Sequence, residues 1–190
     1  MIVIVGLGNP EEKYKNTRHN VGSEAIHYLT GAWGAPLLRE NKKTFSHEST
    51  VMLQNEKVLL VIPTTYMNES GKSVQALSSY YDVPVKNIWV IHDDLDINIG
   101  DFKIAFNRGS AGNNGIKDIS QKLATQKYYR WRIGIRSETL SIFGAIRKSF
   151  VLSKLRKGDA DKIKSTFQKI KESLELALQK DPEFSMNKYN

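Results

Sequence analysis

Short runs of branched apolar residues, each ended by glycine, proline or a charged cluster, alternate along the chain with segments of helical spacing. Ile2 to Val5 reads as a buried strand that Gly6, Gly8 and Pro10 stop at once, and the following loop reaches Thr17-Arg18-His19-Asn20. Val21 to Trp33 places Ala25, Ile26, Leu29 and Trp33 near helical spacing, with Gly34 and Pro36 as its stop. Thr44 to Leu53 alternates as a strand, Asn55-Glu56-Lys57 turns, and Val58 to Ile62 returns as a more buried strand closed by Pro63, a hairpin. A helix is predicted from Ser70 to Tyr81, and a buried strand from Ile88 to Ile91 ends in His92-Asp93-Asp94-Leu95-Asp96. Phe102 to Phe106 reads as a strand, Asn107 to Gly115 as a loop, Ile116 to Ala124 as a helix and Trp131 to Ile135 as a strand. The final helix, capped by Asp159, carries Ile163, Phe167, Ile170, Leu174 and Leu178 on one face.

This order predicts an α/β fold: a three-layer sandwich, its twisted mixed sheet flanked by helices, since the hairpin excludes a wholly parallel sheet. With 190 residues and 40% apolar content, a single domain spanning 1–190 is expected. In such sheets ligands collect outside the carboxyl ends of strands, where Asn9, Asn68 and Asp93 are expected to fall. Three distant segments would then share one cleft.

Composition narrows the function classes. With no cysteine there is no disulfide framework, thiol nucleophile or zinc finger. No apolar run approaches the length of a membrane span, and Ile2-Val3 directly follows Met1 without a basic leader, so a soluble cytoplasmic protein is expected. The formal charge is +8, and its location matters more than its size: residues 130–180 hold 13 Lys and Arg against 5 Asp and Glu, while the remainder is balanced at 15 each. That asymmetry fits a polyanionic partner, and it equally fits a solvated basic face.

Several familiar motifs fail on inspection. Gly6-Leu7-Gly8 lacks the third glycine of a dinucleotide fingerprint, Glu11 standing there, and Gly71-Lys72-Ser73 lacks the earlier glycine of a P-loop, Tyr66 standing there. Ser110 is not flanked by glycines at the spacing of a nucleophile elbow, Arg108 standing where the first would be. Asp93, Asp94 and Asp96 could hold Mg²⁺ as in a nuclease. Of the four histidines, His27 falls mid-helix and His47 mid-strand among polar residues, where surface or structural roles are expected, and His92 is ambiguous. His19 precedes a helix start, where the dipole disfavours the imidazolium and would keep the ring neutral and able to accept a proton.

The residues Val5-Gly6-Leu7-Gly8-Asn9-Pro10, Tyr14, Thr17-Arg18-His19-Asn20, Pro63-Thr64-Thr65-Tyr66-Met67-Asn68, Ser70-Gly71-Lys72, His92-Asp93, Leu95-Asp96, Asn114-Gly115 with Lys117, and Arg132-Ile133-Gly134-Ile135 occur in this order over nearly the whole chain. In them the sequence resembles the bacterial-type peptidyl-tRNA hydrolases. The resemblance implies a monomeric α/β enzyme without metal or other cofactor, which hydrolyses the ester joining a peptide to the 3′ end of tRNA and so recycles tRNA.

Carried over by position, the resemblance implies that His19 is the general base and Asp93 its orienting partner. It assigns Asn68 and Asn114 to substrate contacts, and an amide suits that task because it offers donors and an acceptor without a charge. Asn9 resembles the family's discriminator between peptidyl-tRNA and free aminoacyl-tRNA, Tyr14 and Tyr66 its tRNA contacts, and Met67 a wall of the peptide channel. Lys117, Arg130 and Arg132 are candidates to grip acceptor-stem phosphates, which would position tRNA without reading its sequence. Two departures stand out: Asn113 where the family commonly has histidine, and Ala105 where a phosphate-contacting lysine is frequent, with Lys103 or Arg108 as substitutes. Two other classes stay open. One is an RNA-binding protein without turnover, as in the plant organelle splicing factors that resemble these hydrolases; the other is the metal-dependent nuclease.

Overall fold

A computed structural model describes residues 1–137 and 146–190, so the basic segment 130–180 lies partly outside the described residues. Seven strands form one sheet: β1 (Ile2–Gly6), β2 (Arg39–Asn41), β3 (Ser46–Leu53), β4 (Glu56–Pro63), β5 (Ile88–Asn98), β6 (Phe102–Phe106) and β7 (Tyr129–Arg136), in the spatial order β2-β3-β4-β1-β5-β7-β6. The inner four, β4-β1-β5-β7, are parallel, and β2, β3 and β6 are antiparallel additions at the two sides. The helices are α1 (Val21–Ala32), α2 (Ser70–Tyr80), α3 (Asn114–Lys122), α4 (Ile146–Val151), α5 (Lys157–Gln179) and α6 (Pro182–Tyr189).

The alternation of side chains along each strand divides the core in two. Ile4, Trp89, Ile91, Trp131 and Ile133 pack with Ile26 and Leu29 of α1 and with Ile170 and Leu174 of α5. Val3, Val5, Ile88 and Val90 pack on the other face with Val74 and Leu77 of α2 and Ile116 and Ile119 of α3. The mixed α/β sandwich is therefore as expected. Since α1 and α2 lie on opposite faces, with β4 and β5 on opposite sides of β1, β1 is a topological switch point. A crevice opens at its carboxyl end.

Several elements differ from expectation. Strand β5 does not end at Ile91 but runs through the acidic cluster to Asn98, because β7 continues to pair with it, Asp93 opposite Ile133 and Asp94 opposite Gly134. Its other neighbour, β1, stops at Gly6 opposite Ile91, so beyond that point one side of β5 is vacated. Asp159 is not a helix cap: α5 starts at Lys157, and Asp159 in its first turn is ion-paired with Arg18. Nor is α5 the last helix, since Asp181 caps α6 through the Phe184 backbone N–H, with Pro182 opening its first turn. Among the described residues, no helix is long and apolar enough to cross a membrane.

Candidate active site

Two close backbone approaches build the cleft. Gly22 in the first turn of α1 sits so near the sheet that a Cβ there would stand 2.4 Å from the Ile91 carbonyl oxygen, and the Ser23 N–H reaches the Leu7 carbonyl at 2.9 Å. Gly115, opening α3, allows the same on the other layer, where a Cβ would lie 2.7 Å from Met67 Sδ. Helix starts from both layers thus converge on the ends of β1 and β5.

The convergence encloses a cleft of about 570 Å³ lined by Asn9, Tyr14, His19, Tyr66, Met67, Asn68, Asp93, Asp94, Leu95, Ala111, Gly112, Asn113, Asn114, Val151 and Leu152. All eight residues assigned above to chemistry, discrimination or substrate contact are in this set. Val151 and Leu152, at the end of α4, are wall residues that the sequence did not reveal.

His19 lies in a single 3-10 turn, Arg18–Asn20, that leads into α1, and its Nδ1 is 2.8 Å from Asp93 Oδ2. Burial pulls the imidazole pKa down, but the charge of Asp93 and the hydrogen bond to it outweigh burial and raise it above the ordinary 6.5. The helix start therefore does not decide the ring's protonation as the sequence suggested; the carboxylate does. With Nδ1 engaged, Nε2 is the nitrogen left for chemistry.

Neighbouring side chains secure this pair. The other Asp93 oxygen, Oδ1, accepts from Asn113 Nδ2 at 2.8 Å. Arg18 points away from the cleft: it donates to the Ile135 carbonyl at 3.2 Å, pairs with Asp159 and lies 4.5 Å over the Phe150 ring. Its own N–H bonds Ser153 O at 3.1 Å, so the turn carrying His19 is tied to the segment after α4. Asn20 braces the opposite wall, its carboxamide pairing with the backbone N–H and carbonyl of Asn9, both at 2.9 Å. Asn9 in turn accepts from the Met67 N–H through Oδ1 at 2.9 Å, which leaves its Nδ2 hydrogens without a protein partner among the described residues. Asn20 is a supporting residue whose role no sequence signal separated from its neighbours.

At the mouth, Tyr66 is 43% exposed and donates its hydroxyl to Glu11, which Lys13 also holds at 2.6 Å. Asn68 and Asn114 are exposed on the cleft wall, whereas Met67 is buried beneath it.

The acidic cluster does not converge. Asp93 faces the α1 layer, while Asp94, on the opposite strand face, accepts from Arg132 Nε at 2.8 Å and from the Asp96 N–H at 2.8 Å. Among the described residues, no three His, Asp or Glu side chains are grouped to hold a metal ion. The basic candidates also separate. Arg130 is a correction: it is 1% exposed, and its guanidinium donates to the backbone carbonyls of Arg108 and Gly109, so it holds the loop before α3 instead of offering a cation to solvent. Ala105 lies directly opposite it across the sheet and is buried too. Arg132 is largely covered and committed to Asp94, whereas Lys103, Arg108 and Lys117 are exposed outside the cleft lining.

The comparisons with known proteins bear on the family and the fold. The family model described as peptidyl-tRNA hydrolase matches residues 3–190. The chain is 37% identical over 190 residues to the peptidyl-tRNA hydrolase of Clostridium tetani (strain Massachusetts / E88), covering 100% of this chain and 97% of that one. It is 39% identical over 191 residues to that of Bacillus pumilus (strain SAFR-032), covering 100% and 98%. The crystal structure of peptidyl-tRNA hydrolase from Acinetobacter baumannii is similar with a TM-score of 0.91 at 29% identity, over 100% of this chain and 94% of that one. Sequence, fold and cleft lead to one conclusion: the chain belongs to the peptidyl-tRNA hydrolase family and is an enzyme that hydrolyses peptidyl-tRNA.

Proposed function

We propose that His19 is the general base of this hydrolysis and Asp93 its orienting partner. The observation that carries the proposal is the 2.8 Å contact of His19 Nδ1 with Asp93 Oδ2 inside the cleft. With Nδ1–H donated to the carboxylate, the Nε2 lone pair takes a proton from water as the water oxygen bonds to the ester carbonyl carbon. The imidazolium so formed is stabilised by Asp93, as in dyads that form no covalent intermediate. Collapse of the tetrahedral intermediate breaks the bond to the ribose 3′ oxygen, and His19 returns its proton to that oxygen. The products are a free peptide carboxylate and tRNA ready for recharging.

The carboxamides of Asn9, Asn68 and Asn114 supply donors for the substrate carbonyls and the developing oxyanion. Asn9 also discriminates. A wall of neutral amides receives a peptide bond, but it leaves the ammonium of an unblocked aminoacyl group poorly solvated. Met67 forms an adaptable floor for peptides of any sequence. Tyr14 and Tyr66, at the mouth, pack against the terminal nucleotides. Lys103, Arg108 and Lys117 take acceptor-stem phosphates, with Arg132 in a lesser part because Asp94 already neutralises it. The enzyme acts as a cytoplasmic monomer, its whole chain one domain.

The test is release of an N-acetyl-aminoacyl group from tRNA in EDTA, with unblocked aminoacyl-tRNA alongside. Turnover of the blocked substrate alone is expected, and His19→Ala is expected to lower kcat by about 10²–10⁴. Turnover by His19→Ala near the unaltered rate would refute the base assignment.

A further inference from the structure

Asn113 stands where the family resemblance leads one to expect histidine, and its surroundings give the substitution a use. The side chain is 8% exposed and touches two partners at once. Its Oδ1 accepts from the Ile116 N–H at 3.1 Å, capping α3, while its Nδ2 donates to Asp93 Oδ1 at 2.8 Å and lies 3.3 Å from the Asp93 carbonyl. Chemistry fixes which way the amide points. A backbone N–H demands the oxygen and a carboxylate demands the NH₂, so a flipped amide would face both partners with the wrong atom. Asp93 is therefore held from both layers of the sandwich, by His19 before α1 on one oxygen and by Asn113 before α3 on the other.

We propose that Asn113 is a positioning residue for the hydrolysis: its amide stops the Asp93 carboxylate from rotating off His19, and it does so with a group that does not titrate. The proposal rests on His19 being the base. A carboxylate held by one hydrogen bond turns freely about its last torsion, whereas two bonds on two oxygens leave it a single orientation. An imidazole here could meet both partners in one tautomer only, with an unprotonated nitrogen toward Ile116. Protonation would set an N–H against the Ile116 N–H, losing the cap and with it the grip on Asp93.

The other charged or titratable groups around Asp93 are accounted for. His92 donates from Nδ1 to the Asp93 carbonyl at 2.7 Å. Asp94 faces the opposite side and is neutralised by Arg132, and Arg130 is bonded to the loop before α3. Burial and the nearby Arg130 charge keep His92 neutral down to about 4. Across the working range, His19 is thus the group touching Asp93 whose protonation changes.

The experiment measures kcat and KM for N-acetyl-aminoacyl-tRNA, together with the His19 imidazole titration followed by NMR in free enzyme, for the unaltered protein, Asn113→Ala, Asn113→His and His19→Ala. Asn113→Ala is expected to lower kcat about tenfold with KM nearly unchanged, and to move the His19 titration to lower pH because Asp93 no longer stays on Nδ1. Asn113→His is expected to restore kcat at about pH 8 but to steepen the acid limb from one proton to two, the second being its own. A folded Asn113→Ala with unchanged kcat and unchanged His19 titration would overturn the proposal and leave Asn113 a helix cap only. If Asn113→Ala does not fold, the second ionisation in Asn113→His decides: its absence overturns the proposal. If instead His19→Ala keeps full turnover, the base assignment is what has failed, an outcome distinct from both.

Discussion

Asp93 is touched by two histidines, one from the cleft and one from the sealed side of β5, and the two behave oppositely. His19 reaches the carboxylate, and its pKa is raised despite burial. His92 reaches only the backbone carbonyl of the same residue; burial first, then the Arg130 charge, push its pKa down to about 4, against the opposing pull of Asp93 and Asp94. Among the described residues His92 Nε2 has no partner, and its side is closed to solvent. The lesson concerns partners, not proximity. Here the single carbonyl does not offset the desolvation of the His92 imidazolium, whereas the directly bonded carboxylate does so for His19.

Removing the charge that separates the two histidines should have the largest effect. Asp93→Asn is expected to lower kcat by about 10²-fold. With the carboxylate gone, burial alone acts on His19, so the residual activity should keep its acid limb at a lower pH than the unaltered enzyme. A pH profile of kcat/KM checks both, and an acid limb that stays in place would mean that Asp93 does not set the His19 pKa.

Next comes the anchor behind the cleft. Arg18 adjoins His19 in sequence but its side chain points away to β7, α4 and α5, 3% exposed against an Asp159 that is 15% exposed. Arg18→Met should leave that half-buried carboxylate without its partner and lower the stability by about 1–3 kcal/mol, read as a shifted urea midpoint. Loosening the turn should also lower kcat, while the His92 environment stays as it was.

The smallest effect belongs to His92. Its folded pKa lies below the unfolded value of 6.5, so between about pH 6.5 and 4 the unfolded chain binds a proton that the folded chain refuses. Stability contributed by neutral His92 is present above that window and is lost as the pH falls through it. His19, with a raised pKa, acts with the opposite sign: its contribution is complete below the unfolded value and is lost as the pH rises through its folded one. Denaturation of the unaltered protein and His92→Gln from about pH 7 to 4.5 isolates the first term. The variant should show a shallower decline, by about one proton, and an identical slope in both would assign the acid sensitivity elsewhere.

Much of the fold was legible because it is local. The runs at Ile2, Val58 and Ile88 are strands, and the spacings after Val21 and Ser70 are helices, because burial of one face writes a period into the chain. The start of α6 is also written locally, in Asp181-Pro182. The loop residues gathered by resemblance, from Asn9 to Asn114, do line one cleft.

What the sequence determined by itself was the order of the main elements and the α/β class, and the family resemblance named most of the residues that converge. Tertiary structure alone decided what each charged group is paired with. Arg130 and Arg132 look alike in the chain, but one is spent on backbone carbonyls and the other on Asp94. Asp159 has the local form of a helix cap and instead meets Arg18, 141 residues away. Adjacent Asp93 and Asp94 part company because strand residues alternate faces, and His19 and His92 diverge because one has a carboxylate before it and the other a carbonyl. Periodicity records whether a side chain is buried; the energy of a buried charge depends on the atom opposite, and folding brings that atom from elsewhere in the chain.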